Sequence, residues 1–135
     1  MAGLAVGAVV VLALLVLLRR RYVVARVWGH SMSPTFHDGE RVVATRRRHY
    51  RVGDVIVFRP RSRTTDVAWR IKRIAAVAGD PVPAWLETDH PVVPAGRVVV
   101  VGDNTGHSED SRQLGYIDLA AVAGAVPHRA APEGS

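Results

Sequence analysis

One serine and one lysine have the side chains needed for nucleophilic chemistry. Ser31 lies in the turn-rich stretch Gly29–Thr35 (GHSMSPT), where a tight turn can project the hydroxyl and leave the backbone N–H free. Lys72 is the single lysine among 18 Lys and Arg residues. A serine hydroxyl is a weak nucleophile until a base removes its proton. A buried lysine can lose its charge and serve as that base, whereas arginine stays protonated. The two residues predict a Ser–Lys pair, provided that the fold brings them together.

A third polar stretch follows an apolar run near the C-terminal end. Gly102–Arg112 (GDNTGHSEDSR) has the composition of a turn and carries Ser108, Asp110 and Arg112. Between this stretch and the serine stretch lies the lysine stretch Arg70–Arg73 (RIKR). Taken alone, each of the three stretches has a reading without chemistry, because serine and aspartate are common turn formers and a single lysine can reflect a coding bias. The chemical interpretation therefore depends on their occurring together.

The elements that must position these residues are mostly short strands. Alternating or continuous apolar runs, separated by Gly, Asp and Pro turns, predict five of them; they lie at Tyr22–Val27, Glu40–Thr45, Asp54–Phe58, Val67–Val77 and Arg97–Val101. Leu119–Val126 reads as a strand or a short helix. Arg59–Asp66 reads as a polar connection, and residues 81–96, with four prolines, as a loop with one short strand. Lys72 then lies on a strand, with Arg70 on the same face and Arg73 on the opposite face.

The N-terminal segment predicts a membrane anchor. Ala2–Leu18 is a stretch of residues without a charge, about 25 Å long as a helix. A cleaved signal peptide normally begins with basic residues, and a buried core helix is amphipathic. Here no Lys or Arg precedes the apolar run, and Arg19–Arg21 follow it. We expect an anchor at 1–21, one catalytic domain at 22–126 and a disordered tail at 127–135.

Composition narrows the classes of partner. The chain has no cysteine, which excludes disulfides, thiolate metal sites and a thiol nucleophile. No His/Asp/Glu cluster has metal-ligand spacing, so no metal or other cofactor is expected. The net charge of +6 favours nucleic acid or anionic lipid, but aromatic residues are only 6% and no nucleic-acid-binding motif is readable. We therefore expect a lipid bilayer as a partner and no nucleic acid, with Arg46–Arg48 as a solvated or lipid-facing patch.

The three stretches together resemble the motif boxes of the type I signal peptidase family, membrane-bound Ser–Lys proteases that remove signal peptides. Gly29–Thr35 matches the family's Gly-x-Ser-Met-x-Pro-Thr pattern. Lys72-Arg73 with Gly79-Asp80 matches the lysine box, and Gly102-Asp103-Asn104 through Gly115 matches the last box. The resemblance covers about residues 22–126, with the apolar segment in front.

This resemblance assigns roles by position. It implies Ser31 as nucleophile, Lys72 as general base and Ser108 as the serine that orients the lysine. The Ser31 backbone N–H would supply one oxyanion-hole donor. Asp110 and Arg112 would form a structural ion pair near the site. His30 and His107 are then exposed turn residues rather than bases.

Further expectations follow from the resemblance. The family fold is mostly β, with two antiparallel β-sheets preceded here by one transmembrane helix. The substrate, a precursor polypeptide, adds as an extended strand and has small residues at positions −1 and −3 of the cut. Independently of the resemblance, the position of Asp103 in a turn predicts a structural role, with its carboxylate bonding turn N–H groups. Met32 and Phe36, near the nucleophile, are candidates for an apolar surface against the bilayer.

The chain also departs from the family pattern. Some relatives have a serine or threonine two positions before the nucleophile, where this chain has Gly29, so a second oxyanion donor is not identified. Thr105 stands where arginine is common. Only Pro81–Gly96 remains where longer relatives carry a cap domain, so the chain resembles a minimal catalytic core.

The side of the membrane is left open. Family resemblance places the catalytic domain outside the cytoplasm, whereas Arg19, Arg20, Arg21 and Arg26 after the helix favour a cytoplasmic domain. A cytoplasm-facing protease, similar to the nickel superoxide dismutase maturation proteases, is one alternative.

An inactive relative that binds signal peptides or acts as a scaffold is an alternative to the protease function. A self-cleaving SOS-repressor-type protease needs an upstream domain that these residues do not show.

Overall fold

The computed structural model describes residues 1–60 and 69–127. Its elements in chain order are helix α1 (Ala2–Arg21), strands β1 (Tyr22–Arg26), β2 (Arg41–Thr45), β3 (Val55–Phe58), β4 (Arg70–Val77) and β5 (Arg97–Val101), helix α2 (Ser111–Leu114), and strands β6 (Ile117–Asp118) and β7 (Val122–Val126). Single 3₁₀ turns lie at Thr105–His107 and Leu119–Ala121. The expected polar connection over 61–66 and most of the expected tail fall outside the described residues.

All strand pairs are antiparallel, in the order β1-β2-β7-β3-β4-β5-β6. The mostly-β prediction is confirmed. The two expected sheets are joined into one, because Thr45 of β2 pairs with Ala125 of β7. This junction depends on a small residue: a Cβ at Gly124 would lie 2.7 Å from the backbone of Thr45.

Burial follows the position of each strand. The outer strands β1 and β2 alternate between exposed and buried residues, as expected for strands with one face on the core. The inner strands β3 and β7 are buried throughout. Their continuous apolar sequences are typical of strands covered on both faces.

The core lies in two main clusters of apolar side chains. One gathers the ends of β1–β3 around Met32 and Phe36, and the other packs β3, β5 and β7 around Ile56 and Phe58. Met32 and Phe36 are 1% and 0% exposed. The expectation that they face the bilayer is therefore wrong, because both side chains fill the core beneath the Ser31 turn.

Helix α1 has the dimensions of a membrane span. It is 20 residues long, and no described residue of the chain buries any part of it. Its length and composition are sufficient for a helix that crosses a membrane. The core helix of a soluble protein or a signal sequence can meet the same two criteria. Helix α1 continues directly into β1 at Tyr22.

Strand ends differ slightly from the sequence expectations. The predicted segment Leu119–Val126 contains both expected forms, a 3₁₀ turn followed by β7. Pro81–Gly96 forms a loop with one bridge between Pro81 and Val92. Helix α2 and strand β6 were not predicted, because four residues and two residues are too short to show a period.

Candidate active site

Ser31 lies in the turn that follows β1. Gly29 adopts φ 80°, a conformation that side chains with a Cβ rarely take, and its N–H donates to Asp38 Oδ1 at 2.8 Å. This hydrogen bond fastens the start of the turn. Phe36 N–H donates to Met32 O at 2.9 Å and closes the turn over the core. Ser31 is thereby held half-buried at the surface of the sheet.

Lys72 lies on β4, next to the central strand β3 and opposite its Ile56. It is 4% exposed, and its Nζ lies 2.6 Å from Ser31 Oγ. A protonated amine donates a hydrogen bond in this contact. A neutral amine can instead accept the hydroxyl proton, which is the transfer that a serine nucleophile requires. The structure thus brings together the two residues that the sequence analysis paired.

The environment of Lys72 favours the neutral form. The pKa of Lys72 is lowered from 10.5 to about 8, chiefly because burial desolvates the charged form and secondly because of the positive charge of Arg70. Asp110 and Glu109 act in the opposite direction. Arg70 lies on the lysine's side of β4, as expected, and its Nη1 is 3.1 Å from Glu109 Oε2.

Asp110 is the buried centre of the last motif. It is 0% exposed, and its carboxylate accepts hydrogen bonds from Arg112 Nε at 2.9 Å, Arg112 Nη2 at 2.8 Å and Gly102 N at 3.0 Å. It also caps helix α2 in a capping box with Gln113. Burial raises the pKa of Asp110, but these hydrogen bonds outweigh it and hold the pKa below its ordinary value.

Ser108 lies between the Ser31 turn and Asp110. Its hydroxyl donates to Asp110 Oδ2 at 3.2 Å. A Cβ on Gly102 would lie 2.1 Å from Ser108 Oγ and 2.7 Å from Ser31 O, so both serines press against this glycine. The Ser108 hydroxyl is therefore hydrogen-bonded to Asp110 and not to Lys72. The role of Ser108 in orienting Lys72 stays a prediction.

The last motif also fastens the Ser31 turn directly. Asn104 N–H donates to Ser31 O at 2.8 Å, and the Asn104 side-chain amide donates to His30 O at 3.0 Å. Sequence reasoning missed Asn104 and Gly102 as site residues, although both belong to the quoted Gly-Asp-Asn motif. Glycine and asparagine are so common in turns that their types alone gave no signal of this contact.

Asp103 is structural, but through partners other than those expected. Its carboxylate accepts from Arg73 Nε and Nη2, both at 2.8 Å, and from Thr35 Oγ1 at 2.5 Å. The donors to Asp103 are therefore side chains and not the predicted turn N–H groups. The Arg73 side chain lies on the face of β4 opposite Lys72 and reaches this turn. Burial raises the pKa of Asp103, but hydrogen bonds from Arg73 and Thr35 hold it below its ordinary value. The three residues come from three different motifs.

The remaining predictions concern the surroundings of the serine. Within residues 1–60 and 69–127, the Ser31 backbone N–H has no hydrogen-bond acceptor. Its role as an oxyanion-hole donor stays a prediction. His30 and His107 are exposed. No group of three or more His, Cys, Asp or Glu in the described ranges could hold a metal ion.

Fold and site together define an antiparallel β-protein with an apolar N-terminal helix, in which a buried lysine amine contacts a serine hydroxyl. The family described as "Signal peptidase, peptidase S26" matches residues 2–86 and 82–130. The chain belongs to this family.

Individual relatives agree with this family. The mitochondrial ATP-independent inner membrane protease subunit 1b of Arabidopsis thaliana is 34% identical over 119 residues, which cover 80% of this chain and 69% of that protein. The mitochondrial inner membrane protease subunit 2 of Danio rerio is 36% identical, with 78% of this chain and 62% of that protein covered. Signal peptidase IB of Staphylococcus aureus (strain COL) is 29% identical, with 75% and 73% covered.

One solved structure is similar to part of this chain. The signal peptidase I of Enterococcus faecalis V583 is 21% identical, and the match covers 58% of this chain and 97% of that one at a TM-score of 0.43.

Proposed function

We propose that this chain is a membrane-anchored serine endopeptidase that cleaves leader or signal peptides from precursor proteins, with Ser31 as nucleophile and Lys72 as general base. The observation that carries the proposal is the 2.6 Å contact between Nζ of the buried Lys72 and Oγ of the half-buried Ser31. Family membership supports peptidase activity. Residues 1–21 would be the anchor and 22–126 the catalytic domain.

Neutral Lys72 starts the reaction by taking the Ser31 proton as Oγ attacks the carbonyl carbon of the scissile peptide bond. The carbonyl oxygen gains a negative charge, which the Ser31 backbone N–H would stabilise. The C–N bond then breaks, and the Lys72 ammonium returns the proton to the leaving amine. The acyl group stays on Ser31 as an ester.

Water completes the cycle. It attacks the ester carbonyl and gives a proton to the same amine, and the Oγ–C bond breaks with that proton returning to Ser31. The released acyl product ends in a carboxylate. Lys72 is neutral at the start and the end, so a pKa near neutrality suits both halves of the cycle.

The substrate is proposed to be an extended peptide with small residues at −1 and −3. The preference for small residues comes from the family resemblance. The spacing of −1 and −3 agrees with strand addition beside a sheet, because alternate side chains of an extended peptide face the same surface.

The proposal is tested with the full chain in detergent and a panel of precursors that have Ala at −1 and −3. We expect cleavage after −1, read by mass spectrometry, and none with Ser31→Ala. Ser33→Ala is a matched control two positions away, and it should retain cleavage. If no precursor is cut and none binds, the peptidase proposal is wrong. Binding without cleavage by both the wild type and Ser31→Ala would indicate an inactive peptide-binding protein.

A cytoplasmic location of the catalytic domain is the second candidate. The arginines of α1 all lie in its last turn, on the side of the catalytic domain, and this distribution favours a cytoplasmic catalytic domain. Such a protease would mature a precursor made inside the cell. A tag after Ser135, exposed to external protease in cells stripped of outer barriers, separates the two: digestion indicates an extracytoplasmic domain, and protection until lysis a cytoplasmic one.

A further inference from the structure

Two arginine runs that are far apart in the sequence meet at the end of the apolar helix. Arg19–Arg21 form the last turn of α1, and Arg46–Arg48 follow β2. Tyr22 pairs with Thr45, and Arg46 N–H donates to Arg21 O at 2.8 Å. The β1–β2 pairing therefore returns the second run to the helix end. We name these six residues the arginine cluster.

The turn of the second run is held in place. Arg47 N–H donates to Tyr50 Oη at 3.2 Å, and Tyr50 packs against the apolar core. Arg47 Nη1 also lies 3.8 Å from Asp54 Oδ2. The side chains of Arg46 and Arg48 are thus presented by a fixed backbone.

The charge of the cluster is mostly uncompensated. All six arginines are exposed. In the described part of the chain, only Arg47 among the six has an acidic partner within ion-pair distance. On the first run, the Arg21 guanidinium lies 5.9 Å from the centre of the Tyr22 ring. An exposed tyrosine and several arginines at a helix end are typical of the boundary between hydrocarbon and headgroups.

We infer that the arginine cluster is a binding site for anionic phospholipid headgroups, and that it holds the Tyr22–Thr45 end of β1 and β2 against the bilayer. The guanidinium group matches phosphate geometry through paired N–H donors. A cluster of six next to a span falls within the range that recognises anionic lipid, at about fivefold in affinity per arginine. This inference rests on the proposed membrane anchor, but not on the proposed peptidase activity.

The chain offers a matched control on the same hairpin. Arg26 and Arg41 pair with each other at the far end of β1 and β2. They lie four register positions from the Tyr22–Thr45 pair, about 13 Å along the strands. Arg26→Gln/Arg41→Gln therefore removes as much charge as Arg46→Gln/Arg48→Gln, but away from the cluster.

The test uses the full chain in phosphatidylcholine nanodiscs. Because the chain has no cysteine, His49→Cys gives a single fluorescent label beside the cluster. The quencher is phosphatidylglycerol, or phosphatidylcholine, with a nitroxide near the headgroup end of an acyl chain. An Ala95→Cys label next to β5, at the other end of the sheet order, reports on quenching unrelated to the cluster.

We expect the His49→Cys label to prefer the phosphatidylglycerol quencher. That preference should fall by about 25-fold in Arg46→Gln/Arg48→Gln, two arginines at about fivefold each, and stay in Arg26→Gln/Arg41→Gln. Equal quenching by both lipids, or equal loss in both double variants, would overturn the inference. A label that responds to single-stranded RNA but not to either lipid would assign the cluster to nucleic acid instead.

Discussion

Arg73 and Asp103 form a two-pronged ion pair, with both N···O distances at 2.8 Å and both side chains largely buried. Arg73 directly follows the candidate base on β4, and Asp103 lies in the motif that fastens the candidate nucleophile. The pair therefore joins the two halves of the site.

Breaking this pair is expected to destabilise the protein. Asp103→Ala removes the carboxylate from a largely buried ion pair, which costs about 3 kcal/mol of the free energy of unfolding. Denaturant unfolding measures the change. Arg97→Gln is the control, because the Arg97–Asp118 pair is 45% and 24% exposed and its loss should change stability by less than about 1 kcal/mol. Equal effects of the two substitutions would show that burial does not strengthen the inner pair.

Lys72→Arg is expected to abolish cleavage of a precursor. The substitution keeps the positive charge, but a guanidinium does not become neutral and cannot accept the Ser31 proton. The rate of cleavage should fall by at least about 10³-fold, because the base that activates the Ser31 nucleophile is lost. Single-turnover cleavage by purified wild type and variant measures this. Substantial activity of Lys72→Arg would end the Ser31–Lys72 hypothesis.

Activity is expected to rise with pH up to the Lys72 pKa of about 8. Below that value the neutral fraction, and so kcat/KM, grows about tenfold per pH unit. Arg70→Gln removes a charge that lowers this pKa and should move the midpoint to higher pH, whereas Glu109→Gln should move it to lower pH. A maximum near pH 5, or shifts in the same direction, would contradict the assignment.

Lys72 also links stability to pH. Its pKa is about 8 when folded and 10.5 as the unperturbed value, so between these pH values the unfolded chain binds more protons. The lysine's contribution to stability therefore rises with pH across that window, by on the order of 3 kcal/mol. Lys72→Met lacks this term. The stability advantage of Lys72→Met over the wild type should shrink from pH 8 to pH 10.5, and parallel curves would contradict a buried lysine.

Gly102→Ala is expected to disrupt the site through packing alone. The new methyl group would lie 2.1 Å from Ser108 Oγ and 2.7 Å from the Ser31 carbonyl oxygen, and the backbone of the Ser31 turn must move. We expect a loss of about 1–3 kcal/mol in stability and a larger loss of kcat. Gly106→Ala, in the same motif with nothing within 4 Å, serves as the control. Normal kcat in Gly102→Ala would show that Ser31 tolerates the shift.

Sequence alone determined the strands and the chemistry on offer. Alternating or continuous apolar runs predicted β1 to β5 within a few residues, because burial of one or both faces of a strand imposes its own period. Lys72 stood out because one lysine among arginines is chemically different. The short elements α2 and β6 could not be predicted, since neither is long enough to repeat a pattern.

Only the tertiary structure decided which residues meet. Ser31 and Lys72 are 41 positions apart, and the contact arises because β4 carries the lysine beneath the turn after β1. Met32 and Phe36 lie under that turn in the core rather than facing the bilayer. Arg46 reaches the end of α1 only through the β1–β2 register. Strand order and register depend on packing between distant segments, and the sequence pattern of one segment does not contain that information.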